Sequence, residues 1–263
     1  MESVSILVEG ITDKSFLERL PGLQREQLDF SKAYGGGQER GKADFAGQMR
    51  ARVKAILCLD IDDKSPEAKF TEVKESLDKQ SIPILSVDPA TGTLSTEGGE
   101  VLFVPLGLWE DEDLASLHIT RHFFEDYLIK IALEDPMLKS PYIPHTVRES
   151  LGQVIAEYAN KGCRTLSSAQ VYQLAKPFVG LPKHETSAIS RLLSQANEDI
   201  VRETTRPLVE TLNSFLADTG GNQHHRVSIM DSYGGTGLFG QFSRFYNEVS
   251  ASNLTLKGFS VYQ

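Results

Sequence analysis

The stretch Val4–Asp13, VSILVEGITD, decides the fold: a short apolar run delivers a glutamate, a glycine and then an aspartate into the start of a helix. Ile6, Leu7 and Val8 read as a buried strand with Glu9 at its carboxyl end, and Gly10 lets the chain turn there without a Cβ clash. In an open α/β sheet, ligands bind outside the carboxyl ends of the strands. Glu9 is therefore a candidate metal ligand or general base, and the bland alternative is a solvated strand end.

A second stretch has the same grammar. Ala55–Asp63, AILCLDIDD, is another apolar run that ends in acid, at Asp60, Asp62 and Asp63. In extended chain, residues two apart point to one side, so Asp60 and Asp62 are expected to present their carboxylates together. Clustered carboxylates repel unless a cation neutralises them. Hard oxygen ligands suit Mg²⁺ or Mn²⁺ rather than zinc.

Glu9-Gly10 after one strand and Asp60-x-Asp62 after a later one resemble the TOPRIM domain of topoisomerases, primases and OLD-family nucleases. The spelling VEGITDKSFLERL is most similar to OLD-type and small stand-alone TOPRIM-related proteins. The likeness spans about the first 110 residues and includes the glycines Gly35–Gly37 after the second strand. It implies a mainly parallel sheet flanked by helices and a metal-dependent nuclease. On that reading Glu9, Asp60 and Asp62 are catalytic and bind metal, Asp13 or Asp63 completes a second ion site, and Asp113, or Glu112 beside it, adds a ligand. Lys42, or Arg40 beside it, is the cation that stabilises the transition state. The other class of function is a TOPRIM-derived regulatory module that binds metal and nucleic acid, or a nucleotide, without turnover. Full OLD nucleases carry an ATPase domain before this part. The partners implied are therefore DNA or RNA, a separate ATPase or other protein chain, and a second copy of this chain in a homodimer.

Composition sets the outer bounds. With 263 residues, of which 40% are hydrophobic, the chain can bury a proper core. No apolar run is long enough to span a membrane, and the first residues lack the pattern of a signal peptide, so a cytoplasmic protein is expected. Cys58 and Cys163 suggest neither a disulfide framework nor a zinc site. Residues 1–135 hold 26 acidic and 15 basic side chains, and residues 136–263 hold 10 and 12. An acidic metal-binding half beside a near-neutral half able to meet phosphates fits that split; so does a solvated acidic surface.

Three units follow from the pattern: a TOPRIM-like α/β domain over 1–110, a helical domain over 111–219, and a tail over 220–263 that packs on the rest. In the first, helices are expected after Asp13, over Ala43–Arg52 and over Glu67–Lys79, with strands over Leu28–Tyr34, Ile82–Val87 and Val101–Val104. Asp88–Gly99 reads as a turn-rich insertion. Gly36–Ala43 has the G-x-x-x-x-G-K spacing of a phosphate loop but lacks its hydroxyl, so a flexible loop carrying Arg40 and Lys42 is the better reading. The acids Glu110–Asp113 suit a helix start through the macrodipole. Leu114, Leu117, Phe124, Leu128 and Ile131 predict one long helix, in which His118 and His122 are ordinary residues. Further helices are expected from Val147, after Ser167 or Ser168, over Ser187–Ile200 and over Leu208–Leu216, the last two parted near Pro207. In the tail, Gly235-x-Gly237-x-x-Gly240 matches a dinucleotide fingerprint without its acidic partner.

Overall fold

The structure, a computed structural model, describes residues 4–30, 54–140, 142–143, 145–162 and 165–217. The segment holding Gly35–Gly37, Arg40, Lys42 and the helix expected over Ala43–Arg52, together with Cys163 and the tail from 220, lies outside the described residues.

The apolar runs become the centre of a six-stranded sheet. Its strands are β1 (Val4–Leu7), β2 (Leu28–Asp29), β3 (Ala55–Asp60), β4 (Ile84–Asp88), β5 (Thr93–Thr96) and β6 (Gly99–Leu106), in the order β2-β1-β3-β6-β5-β4. From β2 to β6 the neighbours are parallel, with Leu7 beside Leu57 and Leu57 beside Phe103. β5 and β4 add antiparallel on the far side, so the sheet is mixed although mainly parallel. The expected insertion over Asp88–Gly99 is thus a hairpin arm: Gly92 takes the positive φ of its turn, and Thr96 seals the next with bonds to Gly98 and Gly99.

Period-two alternation splits the sheet into two faces. Ile6, Val8, Ile56, Cys58, Leu102 and Val104 join one apolar cluster, while Leu7, Leu57, Leu59, Val101 and Phe103 join another. A strand buried on both faces reads as a continuous apolar run, and β3 is buried along its whole length. The second cluster is closed by α2 (Pro66–Lys79), capped by the Ser65 hydroxyl and presenting Phe70, Val73 and Leu77. The first is closed by α1 (Ile11–Leu17), whose Phe16 ring packs 5.4 Å from Phe124 and 5.6 Å from Tyr127.

Beyond β6 the described chain forms α3 (Glu112–Ser116), α4 (Glu125–Glu134), α5 (Val147–Asn160), α6 (Ser168–Ala175), α7 (Glu185–Gln195) and α8 (Glu198–Ala217), with a small parallel pair, β7 (Ile119–Arg121) and β8 (Leu166–Ser167). Residues of these helices share one apolar cluster with β1, β3, β6 and α1, so packing is continuous across the boundary expected near 110. The long helix is not observed. His118 has φ 57, which ends α3, and β7 intervenes before α4 begins. The last two helices part at Ala196–Asn197 rather than at Pro207, because the buried Asp135 carboxylate accepts the Asn197 N–H at 2.6 Å. Pro207 lies within α8.

Candidate carboxylate site at the sheet edge

β1 and β3 are adjacent and parallel, so the chain leaves both at the carboxyl edge of the sheet, through Glu9 two residues past β1 and through Asp60 at the end of β3. Asp60 falls in step with Ile56 and Cys58, the positions that face the α1 and α4 side. Its carboxylate is 9% exposed, and its Oδ1 accepts the Phe124 N–H at 3.0 Å. That bond ties the start of α4 to the end of β3. Asp13, 3% exposed, lies alongside: its Oδ2 accepts the Gly10 N–H at 2.8 Å, and its Oδ1 lies 3.4 Å from the Thr12 hydroxyl. Three residues into α1, it reaches back to the turn and fixes where Glu9 leaves its strand.

The electrostatics describe one group of acids. Burial pushes the Asp60 carboxyl well above the usual range, and the charges of Asp13, Glu9 and Glu125 push it further. Asp13 is raised by burial, against the bonds from Gly10 and Thr12. Glu125, in the first turn of α4, is raised to about 8 by burial, with Asp13, Glu185 and Asp126 adding to the shift. Cys58 is pushed up by burial and then by Asp13 and Asp60, as its place on the same face requires.

The other predicted ligands are elsewhere. Asp62 is not in extended chain: its φ is 58, in the left-handed region that aspartate tolerates better than most residues. The premise that Asp60 and Asp62 point together therefore fails. Asp62 instead pairs with Lys69 of α2, across the sheet layer, at 3.3 Å and with Arg121 at 3.1 Å. Asp63 is exposed. Asp113 pairs with Arg148 at 2.9 Å, and the cap of α3 is Asp111, whose side chain accepts the N–H groups of Asp113 and Leu114. Asp13 and Glu9 thus lie within electrostatic reach of Asp60, whereas Asp62, Asp63 and Asp113 have other partners or face solvent.

Two residues of the neighbourhood escape sequence reasoning. Glu125 reaches the site only through the contact of Phe124 with Asp60, which no local pattern announces. His122, read as a helix residue, forms an antiparallel bridge with Asp62, its backbone N–H donating at 2.7 Å and its carbonyl accepting at 2.9 Å. Its ring is buried against Trp109, and Nδ1 lies 2.8 Å from Asp126, which also accepts the Leu108 N–H. The spacing His122-x-x-x-Asp126 was the available signal.

Among the described residues, no three His, Cys, Asp or Glu side chains stand together as a ready-made metal cage. Mg²⁺ does not require one: it commonly takes one or two carboxylates and keeps its waters for substrate oxygens. By donor type and by their mutual repulsion, Glu9 and Asp60 fit such an ion, and Asp13, with both oxygens engaged by α1, fits a supporting role.

No family model matches this chain, and no curated protein matches it. One similar solved structure is a hypothetical protein from Pyrococcus horikoshii, 16% identical, covering 92% of this chain and 100% of that one with a TM-score of 0.42. No helix among the described residues is long and apolar enough to cross a membrane.

Proposed function

We propose that this chain is a divalent-metal-dependent phosphodiesterase acting on nucleic acid, DNA or RNA, at the Glu9–Asp60 edge. The observation that carries the reading is the setting of Asp60: a buried carboxylate at the end of a central strand, held by the Phe124 N–H, whose proton affinity is raised first by burial and then by the charges of Asp13, Glu9 and Glu125. Such a site is destabilised when all its acids ionise, and a cation or a phosphate-bound cation relieves it. Glu9 and Asp60 would hold Mg²⁺ or Mn²⁺, which when bound supplies Lewis-acid polarisation of a phosphoryl oxygen and of water. The chain's own parts are then distinct. The Phe124 N–H orients Asp60, Asp13 fixes the Gly10 turn, and Glu9, the less buried of the pair, takes the proton from the attacking water.

A non-catalytic binding module is the second reading, favoured by one observation: the second aspartate of the Asp-x-Asp pair is held by Lys69 and Arg121. Incubating the purified chain with plasmid, single-stranded DNA and RNA, with and without Mn²⁺, separates the two. The enzyme reading expects metal-dependent cleavage that falls by orders of magnitude in Glu9→Gln while binding survives. Cleavage by Glu9→Gln at the wild-type rate would remove it, and metal-dependent binding without cleavage by either protein would leave the module.

A further inference from the structure

Building on the carboxylate-site reading, we propose that Arg121 is the phosphate-binding arm of this edge, that Asp62 is its positioning residue rather than a ligand of the ion, and that the anion received is a nucleic-acid phosphodiester. An edge lined by Glu9, Asp13, Asp60 and Glu125 repels a phosphodiester. A cation held in place nearby offsets that, and Arg121 is tied to the end of β3 by short links: it pairs with Asp62, two residues past Asp60, and stands three residues before Phe124, whose N–H meets Asp60. The segment after β7 is laced to the end of β3: His122 bridges Asp62, and the Phe124 N–H meets Asp60. His122 and Phe124 are buried, whereas Arg121 is exposed, its side chain 57% open.

The guanidinium is nevertheless not loose. One nitrogen sits 3.1 Å from Asp62 Oδ1, and the Phe123 ring lies beneath it with its centroid 5.5 Å from Cζ. Asp62 is itself anchored through its other oxygen, Oδ2, 3.3 Å from the Nζ of Lys69, a side chain only 2% exposed. Buried Lys69 requires Asp62 as its counter-charge. Exposed Arg121 gains little stability from the same carboxylate. What the second contact does is orient a planar fork, with N–H donors to spare, beside the turn that follows β3. Asp62 holds both cations from a left-handed backbone, with φ 58.

The test is anisotropy of a labelled single-stranded oligonucleotide with the full chain in EDTA, across a salt series starting at low ionic strength. Arg121→Gln is expected to lose about tenfold in affinity, the scale of one hydrogen bond to a charged group, and to flatten the salt slope by about 0.7, one phosphate contact on a single strand. Arg121→Lys keeps the slope and recovers only part of the affinity, since an ammonium lacks the fork. Asp62→Asn discriminates further: a positioning role predicts weaker binding at unchanged slope, whereas deleting a merely repulsive acid would tighten it. Because Asp62→Asn strips Lys69 of its partner, its melting is measured alongside, and the exposed Arg121→Gln decides the outcome. Wild-type affinity and slope in Arg121→Gln, or no binding by the wild type, overturns the inference. With EDTA present the readout is independent of cleavage: Arg121-dependent binding by a chain that never cleaves removes only the enzyme, and cleavage with an Arg121-independent slope removes only the arm.

Discussion

Replacing Glu125 by glutamine should abolish a large part of the pH dependence of stability. The folded protein holds the Glu125 proton up to about 8, against an ordinary value of 4.5, chiefly through loss of water around this half-buried group, with Asp13, Glu185 and Asp126 adding to the shift. A carboxyl whose pKa is raised by folding costs nothing below its unfolded value. Its penalty grows as pH rises from there and levels off above the folded pKa. At 1.36 kcal/mol per unit, the wild type should lose about 3 kcal/mol by pH 7 and about 5 kcal/mol above pH 8 through this group. Glutamine resembles the protonated acid in shape and never ionises, so the variant should equal the wild type near pH 4.5 and exceed it increasingly towards pH 8. Urea unfolding of both proteins at half-unit intervals from pH 4.5 to 9, without divalent ions, measures the difference directly. Parallel curves, with a constant offset, would refute the burial of Glu125 among these acids.

Two further outcomes test the packing that builds the edge. Gly107 has φ +138, and a Cβ there would fall 2.9 Å from Ile61 Cγ1 and 3.0 Å from His122 Cβ, so Gly107→Ala should cost about 2–5 kcal/mol in strain and overpacking, read as a lower urea midpoint. Phe16→Ala empties a fully buried position between Phe124 and Tyr127 and should cost about 3–5 kcal/mol; a loss below about 1 kcal/mol would mean that α1 does not close this face.

The parallel half of the sheet was legible because β1, β3 and β6 are buried on both faces and so read as near-continuous apolar runs, those of β1 and β3 leading into acid. Of the antiparallel arm, β4 was expected over Ile82–Val87, but its partner β5 (Thr93–Thr96) was not, because four residues set between turns in a stretch rich in Thr and Gly carry no apolar run. The long-helix expectation failed for a specific reason. Leu117 and Phe124 are seven residues apart, nearly two full helical turns, so the apolar stripe keeps its phase across a break that periodicity cannot detect. All five stripe residues are buried as expected; it is the backbone between them that turns at His118. Within the site, Glu9 and Asp60 follow from strand ends and can be read locally. Asp62 does not, because its backbone conformation is set by the distant strand that brings His122 and Arg121 to it.

The central claim is that the hard-cation site belongs to Glu9 and Asp60 and excludes Asp62. Thermal melting of wild type, Asp60→Asn and Asp62→Asn against Mn²⁺ tests it most directly. An ion that binds only the folded chain stabilises it by mass action, by about 2.7 kcal/mol at a hundred times its Kd. The wild type and Asp62→Asn should both gain melting temperature with Mn²⁺, each from its own metal-free baseline, while Asp60→Asn should gain little. A wild type that ignores millimolar Mn²⁺, or an Asp62→Asn protein as unresponsive as Asp60→Asn, would contradict it.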